Sequence, residues 1–379
     1  MESKLIRTEK RERLLSLDAL RGFDMFWITG GSALFAFIGK TTGAEWLVLQ
    51  MDHVNWIGLV LYDLIFPLFM FIAGAAIPYA IVSKQERGVA KKELLFKVAK
   101  RMFLLVALGI LYNGALKGNL TNIRYVSVLG QIGIAYFMAS MIVIFSKSIK
   151  TPLFWLLGIL AGVTVLQLFV PVPGVGAGQL TPEGCINGYI DRLLVPGRLA
   201  YGPDGNMVAT GGIFDALGIL CIVSAIGITL MGFFAGHILR GKEQSEWKKV
   251  YILAGIGAAL IVFAVACSPV YPVIKKCWTS TYNLMAGGIS FLLIALFYLI
   301  IDVLKWQKWS FYFRVIGMNS IFVYLFVHFI NVNGIVSYFL GWTVVLPEVT
   351  AQLILRIGYL ALVWGLLYYM YKKEIFLRV

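Results

Sequence analysis

The stretch HVNWIGLVLYDLIFPLFMFIAG, residues 53–74, decides what kind of protein this is. His53 and Trp56 precede a run of apolar residues long enough to cross a bilayer, and Asp63 and Pro67 sit inside that run. An ionisable side chain at hydrocarbon depth is costly, so such residues face the interior of a helix bundle or a wet cavity and mark function. A soluble fold has little use for the pattern.

The rest of the chain agrees with that reading. Of 379 residues, 60% are hydrophobic and 14% charged, and the mean hydropathy is +0.83, values of a polytopic membrane protein. The net charge of +14 would suggest a nucleic-acid partner in a soluble domain. Here the charge is gathered in short clusters between apolar runs, where it reports topology, and no nucleic-acid partner is expected. The first sixteen residues, MESKLIRTEKRERLLS, are basic without a small-residue cleavage site, so no removable leader is expected.

A span of hydrocarbon needs roughly 20 mostly apolar residues. Ten stretches qualify, at 17–38, 55–82, 93–113, 125–146, 152–170, 213–239, 249–267, 280–302, 311–331 and 350–371. This predicts an all-α bundle and a single membrane domain over 1–379. The N-terminal tail, with Lys4, Arg7, Lys10, Arg11 and Arg13, joins the connections near 83–101, 146–151, 240–249 and 302–314 and the C-terminal tail in holding most of the Lys and Arg. The opposite connections hold only Lys40, Lys117, Arg124, Arg192, Arg198, Lys275, Lys276 and Arg356. The positive-inside rule then puts both termini in the cytoplasm and His53 outside. The longest outward loop, 171–212, is rich in Gly and Pro, as binding loops and lids often are. The four cysteines form no CxxC, so neither a metal nor a redox motif is expected; Cys185 and Cys277 both lie in outward loops, where a disulfide is open to them.

His53, with an unperturbed pKa of about 6.5, suits removal of a proton or transient carriage of a transferred group; as an interfacial residue beside Trp56 it would only anchor the span. Asp63 follows ten residues later, about 12–15 Å deeper if the segment is helical, out of reach of His53 unless the helix is broken. Its other reading is a buried ion pair with Arg21 or Arg101. Pro67 and Gly74 would kink the helix. In SLDALRGFDMFW, residues 16–27, Asp18 and Arg21 share a helix face, and Arg21 either grips a phosphate or pairs with Asp18. Gln131, Asn283, Asn319, His328 and Asn331 are polar residues in or beside spans, where hydrogen bonds between helices also account for them.

Several pieces along most of the chain resemble the heparan-α-glucosaminide N-acetyltransferase family: RLLSLDALRG at 13–22, the 53–74 stretch, VLGQIGIAYF at 128–137, YIDRLLVPGRL at 189–199, KKCWTSTY at 275–282 and GMNSIFVYL at 317–325. The resemblance implies a transmembrane acyltransferase that takes acetyl from cytosolic acetyl-CoA and delivers it to the amine of a glucosamine on the far side of the membrane, with His53 as the catalyst and Asp63 beside it in the catalytic set. With the basic residues of the inner mouth, this reading expects acyl-CoA to be bound by Arg21, Arg101, Arg314, Gln131 and Asn319, and an acceptor pocket near Thr29, Trp56, Trp278, Ser280 and His328; it expects no metal, a bacterial inner-membrane location, and a homodimer left open. The chain departs from the family pattern at Thr29, where the family has Asn, at Asp215-Ala216-Leu217-Gly218 in place of Asp-Pro-Glu-Gly, and at His328, shifted by one residue. The residues alone also admit a sugar or lipid-linked glycan permease, in which Asp63, Arg21 and Pro67 line a substrate path, or a membrane scaffold.

Overall fold

In the computed structural model, residues 14–115 and 122–377 are described; Lys4, Arg7, Lys10, Arg11, Arg13, Lys117 and Arg378 lie outside them. The described chain is helical, with only isolated β-bridges. Helices α1 (Leu15–Phe26), α2 (Ser32–Thr42) and the short α3 (Glu45–Gln50) lead to α4 (Leu61–Ala75) and a last turn, α5 (Ser83–Glu86). Then come α6 (Lys91–Tyr112), α7 (Val128–Phe145), α8 (Lys150–Phe169), the loop helix α9 (Ile186–Leu194), α10 (Ile219–Arg240), α11 (Glu246–Cys267) and α12 (Ser280–Tyr298). The chain ends with α13 (Ser310–Gly317), α14 (Ser320–Phe329), α15 (Val332–Phe339) and α16 (Glu348–Lys372). Short polar residues start several of them: the hydroxyls of Ser127, Ser245 and Thr279 accept the N–H of Gly130, Lys248 and Tyr282, so each helix begins with one otherwise orphaned donor satisfied.

Eight of the helices, counting runs joined through π-turns, are long and apolar enough to cross a membrane, or nine if α13 and α14 form one span. That pair is bent by 73° at Met318–Asn319, so the expected continuous span 311–331 is broken. The expected third span is present as α6, but Lys91, Lys92, Glu93, Lys97, Lys100 and Arg101 crowd its first three turns and it falls short by composition. The expected second span starts late: residues 55–60 are not helical, and the run begins at Leu61.

Glycine sets the closest helix crossings. A Cβ on Gly232 would overlap the Phe71 carbonyl, one on Gly74 the Thr229 carbonyl and one on Gly236 the Ala75 carbonyl, so α4 and α10 meet backbone to backbone, as small residues allow between membrane helices. α1 and α13 cross in the same way through Gly22 against the Phe313 carbonyl and Gly317 against that of Asp18. α4 is continuous through Pro67 and ends at Ala75, next to Gly74, with a turn at Ala76 before the π-turn Pro78–Val82.

Contacts across the bundle distinguish its two ends. At one, Arg240 forks onto Glu86, Gln85 reaches the Ile144 carbonyl and the Ser16 N–H reaches Asp302. At the other, Arg124 clasps Asp215 at 2.6 and 2.7 Å, His328 donates to the Tyr112 carbonyl, and the loops around 53, 200 and 275 meet. Cys185 and Cys277 are free thiols packed in one small buried cluster with Ile274 at this second end.

Candidate active site

His53 lies in the irregular segment between α3 and α4. The Leu61 N–H bonds to Gln50, and the Gly58 N–H to the Val273 carbonyl, while Gly58 takes a φ of 122°, a conformation that favours glycine. These ties turn the chain back over the first turn of α4, where Asp63 is the third helical residue and an acidic side chain is favoured by the helix dipole. His53 Nδ1 is thereby 2.7 Å from Asp63 Oδ1. The expectation that ten residues would separate the two by a helical rise is therefore overturned: the intervening chain is a loop, and the pair is in direct contact.

The ion pair expected between Asp63 and Arg21 or Arg101 is overturned as well, because Lys275 occupies that place. Its Nζ lies 3.0 Å from Asp63 Oδ1 and 3.1 Å from His53 Nδ1. An ammonium has only donors, so a protonated Nδ1 and Lys275 both direct their hydrogens at the one carboxylate oxygen. The opposite tautomer would set the Nδ1 lone pair against Oδ1, so the contact favours a proton on Nδ1. The His53 side chain is 48% exposed and that of Asp63 1%, an accessible imidazole against a buried carboxylate. Burial draws the Lys275 ammonium below its usual range, and Asp63 opposes that pull.

The surroundings brace this triangle. Tyr282 donates its hydroxyl to the Asp63 carbonyl at 2.9 Å and packs edge-on with Trp278, which also meets Phe66. Trp278 adopts a φ of 48°, a strained conformation for an aromatic residue; Ser224 holds its carbonyl. The His53 ring lies over Tyr62 with centroids 4.8 Å apart. Trp56 donates to the Leu180 carbonyl at 2.7 Å, and Lys276 to the carbonyls of Asn55 and Gly205 at 2.7 Å each, so the long loop is fastened to the His53 segment. Deeper in that loop Asp191, its carboxyl raised to about 7 by burial, accepts the N–H groups of Asp215 and Ile219 at the start of α10.

The other expected residues are distributed along the bundle. His328 stacks on Tyr112 at 3.6 Å near the same end, and Thr29 turns its hydroxyl back onto the Met25 carbonyl at the π-turn between α1 and α2. Ser280 ties α12 to the Leu160 carbonyl, and Gln131 ties α7 to the Cys221 carbonyl. Asn319 uses both halves of its amide on the C-terminal segment, at Ile375 and Leu377. None of these three is hydrogen-bonded to His53, Asp63 or Lys275 among the described residues. Arg21 pairs with Asp18 at 3.3 Å on the α1 face that meets α13, which carries Arg314, while Arg101 lies over the Tyr136 ring at 4.2 Å. The Nε atoms of Arg101 and Arg314 are buried without a hydrogen-bond partner among the described residues, as are both carboxyl oxygens of Asp24. Lys275 and Asp24 escaped the sequence reading; only the KKCWTSTY piece drew attention to the first.

Comparison with known proteins finds two similar acetyltransferases. The heparan-alpha-glucosaminide N-acetyltransferase of Mus musculus is 27% identical over 98% of this chain, and that of Homo sapiens is 29% identical over 83% of it. This chain is similar to those acetyltransferases over most of its length. It spans 61% and 52% of their lengths, respectively. Residues 13–169 also match a family described as a domain of unknown function, DUF5009. With the apolar helices, the relationship makes this an integral membrane protein.

Proposed function

We propose that the protein is a transmembrane N-acetyltransferase, with acetyl-CoA as donor and the amine of a glucosamine-type sugar as acceptor. The observation that carries this reading is the His53–Asp63 contact of 2.7 Å in a relative of named acetyltransferases. Asp63 orients the ring, and Nε2 of His53 accepts the proton that the acceptor amine sheds as its nitrogen attacks the thioester carbon; the C–S bond breaks and His53 returns that proton to the departing CoA thiolate. General-base help of this kind contributes roughly 10²- to 10⁴-fold.

The donor's anionic end is assigned to the opposite, lysine- and arginine-rich end of the bundle. Arginine suits phosphate oxygens through a planar fork, and the buried, unpartnered Nε atoms of Arg101 and Arg314 are donors in want of an acceptor, with Arg21 on the helix that crosses α13. The positive-inside rule makes this end cytoplasmic and the His53 end the far side, which is the bacterial periplasm if the bilayer is an inner membrane. The acceptor then meets Trp56, Thr29 and His328 at the far side.

Proteoliposomes containing the purified protein test the reading. Radiolabelled acetyl-CoA supplied on the basic side should yield N-acetylglucosamine from glucosamine supplied on the other. Passage of unmodified sugar without any acetyl-CoA binding would instead make the protein a permease.

A further inference from the structure

The triangle of His53, Asp63 and Lys275 contains one charge more than an orienting dyad requires. A carboxylate on Nδ1 favours the imidazolium, because an opposite charge within hydrogen-bond reach stabilises the protonated ring. An imidazolium is neither a base nor a nucleophile. Lys275 brings a positive charge to the same carboxylate oxygen, at 3.0 Å, so Asp63 is already neutralised when His53 is neutral. It also stands 3.1 Å from the ring itself, where a second positive charge would be repelled.

The placement of Lys275 is built into the fold. It sits in the connection between α11 and α12, in which Ile274 donates its N–H to Thr279 and Trp278 its N–H to the Lys275 carbonyl. The adjoining Lys276 is spent on the Asn55 and Gly205 carbonyls, so the two lysines divide the work: one fastens the loops and the other faces the dyad. Among the described residues, the other charged or titratable groups near His53 are Asp52, whose carboxylate accepts the His53 backbone N–H at 2.7 Å, and Tyr62 against the ring; the charge of Lys276 meets those of Asp63 and Asp204.

We infer that Lys275 is a positioning residue of the transfer reaction, its ammonium offsetting Asp63 so that the carboxylate orients His53 without holding the ring protonated. The inference rests on the acetyltransferase reading for its consequence in catalysis, but the proton state of His53 can be followed without any turnover. Diethyl pyrocarbonate acylates the neutral imidazole only, so its rate of modification at His53, read by mass spectrometry against pH, reports that state directly.

Removing the lysine charge with Lys275→Met should move the midpoint of His53 modification, and the acid limb of the transfer rate, upward by about one pH unit or more. Lys275→Arg should restore the parental midpoint, and Lys275→Gln replaces Lys275→Met should the latter fail to fold. An unchanged midpoint in a folded variant, with transfer lowered equally at every pH, would make Lys275 a packing residue and overturn the inference. If the parent transfers no acetyl yet the midpoint still moves, the charge relationship stands and the acetyltransferase reading is what fails.

Discussion

Asp63 shows how much one carboxylate is asked to hold. Its Oδ1 takes His53 and Lys275, and Oδ2 faces the backbone N–H groups of Val54 and Val60 at 3.4 Å each. Asp63→Asn keeps the shape but withdraws the charge, and an amide N–H turned toward Nδ1 would favour the wrong tautomer. We expect transfer to fall roughly 10²- to 10⁴-fold with acetyl-CoA affinity unchanged, measured as initial rates beside isothermal titration; a rate equal to the parent's would remove Asp63 from the mechanism. The two partners of Asp63 differ in how they can be read from sequence. His53 is visible from its position before an apolar run, whereas its contact with Asp63 was hidden by treating residues 53–63 as helix, although Asn55 and Gly58 in that segment favour a turn. Lys275 lies 212 residues from Asp63, and no local periodicity connects them.

Apolar length alone located the long helices but not the short α3, α9 and α15, because hydrocarbon imposes a length that globular cores do not. It could not see the 73° bend between α13 and α14, since a break in helical direction leaves the hydropathy sum unchanged. Nor could it see which glycines are contacts. Gly22 and Gly158 look alike in sequence, both within apolar spans. At Gly22 a Cβ meets the rigid carbonyl of Phe313, and at Gly158 it meets open space. Gly22→Ala should therefore cost about 1–3 kcal/mol through forced separation of α1 and α13. Gly158→Ala should stabilise α8 by about 0.5–1 kcal/mol, the usual gain within a helix. Thermal unfolding of both variants in detergent checks the pair, and equal shifts would contradict the α1–α13 crossing.

On the proposed reading, donor binding and acetyl transfer lie at opposite ends of the bundle. The basic connections, the α1–α13 crossing with Arg21 and Arg314, and the unpartnered Nε of Arg101 belong to one half. His53, its loop and the 171–212 segment fastened by Trp56 and Lys276 belong to the other. The proposed division rests on Lys and Arg clustering, because the charge bias is a property of connections and survives errors in individual helix limits. Gln131 and Asn319 are engaged in helix–helix and tail contacts, the second of the two readings open to them, because a polar residue in a span reads the same whether it binds a ligand or a neighbouring helix. The account predicts that the ends are separable: loss of the imidazole should stop transfer and spare donor binding. The direct measurement compares His53→Ala with the parent in a reconstituted assay that reads acetyl transfer to glucosamine and acetyl-CoA affinity together. The account predicts a rate lowered roughly 10²- to 10⁴-fold or more at unchanged affinity; transfer at the parental rate would contradict it.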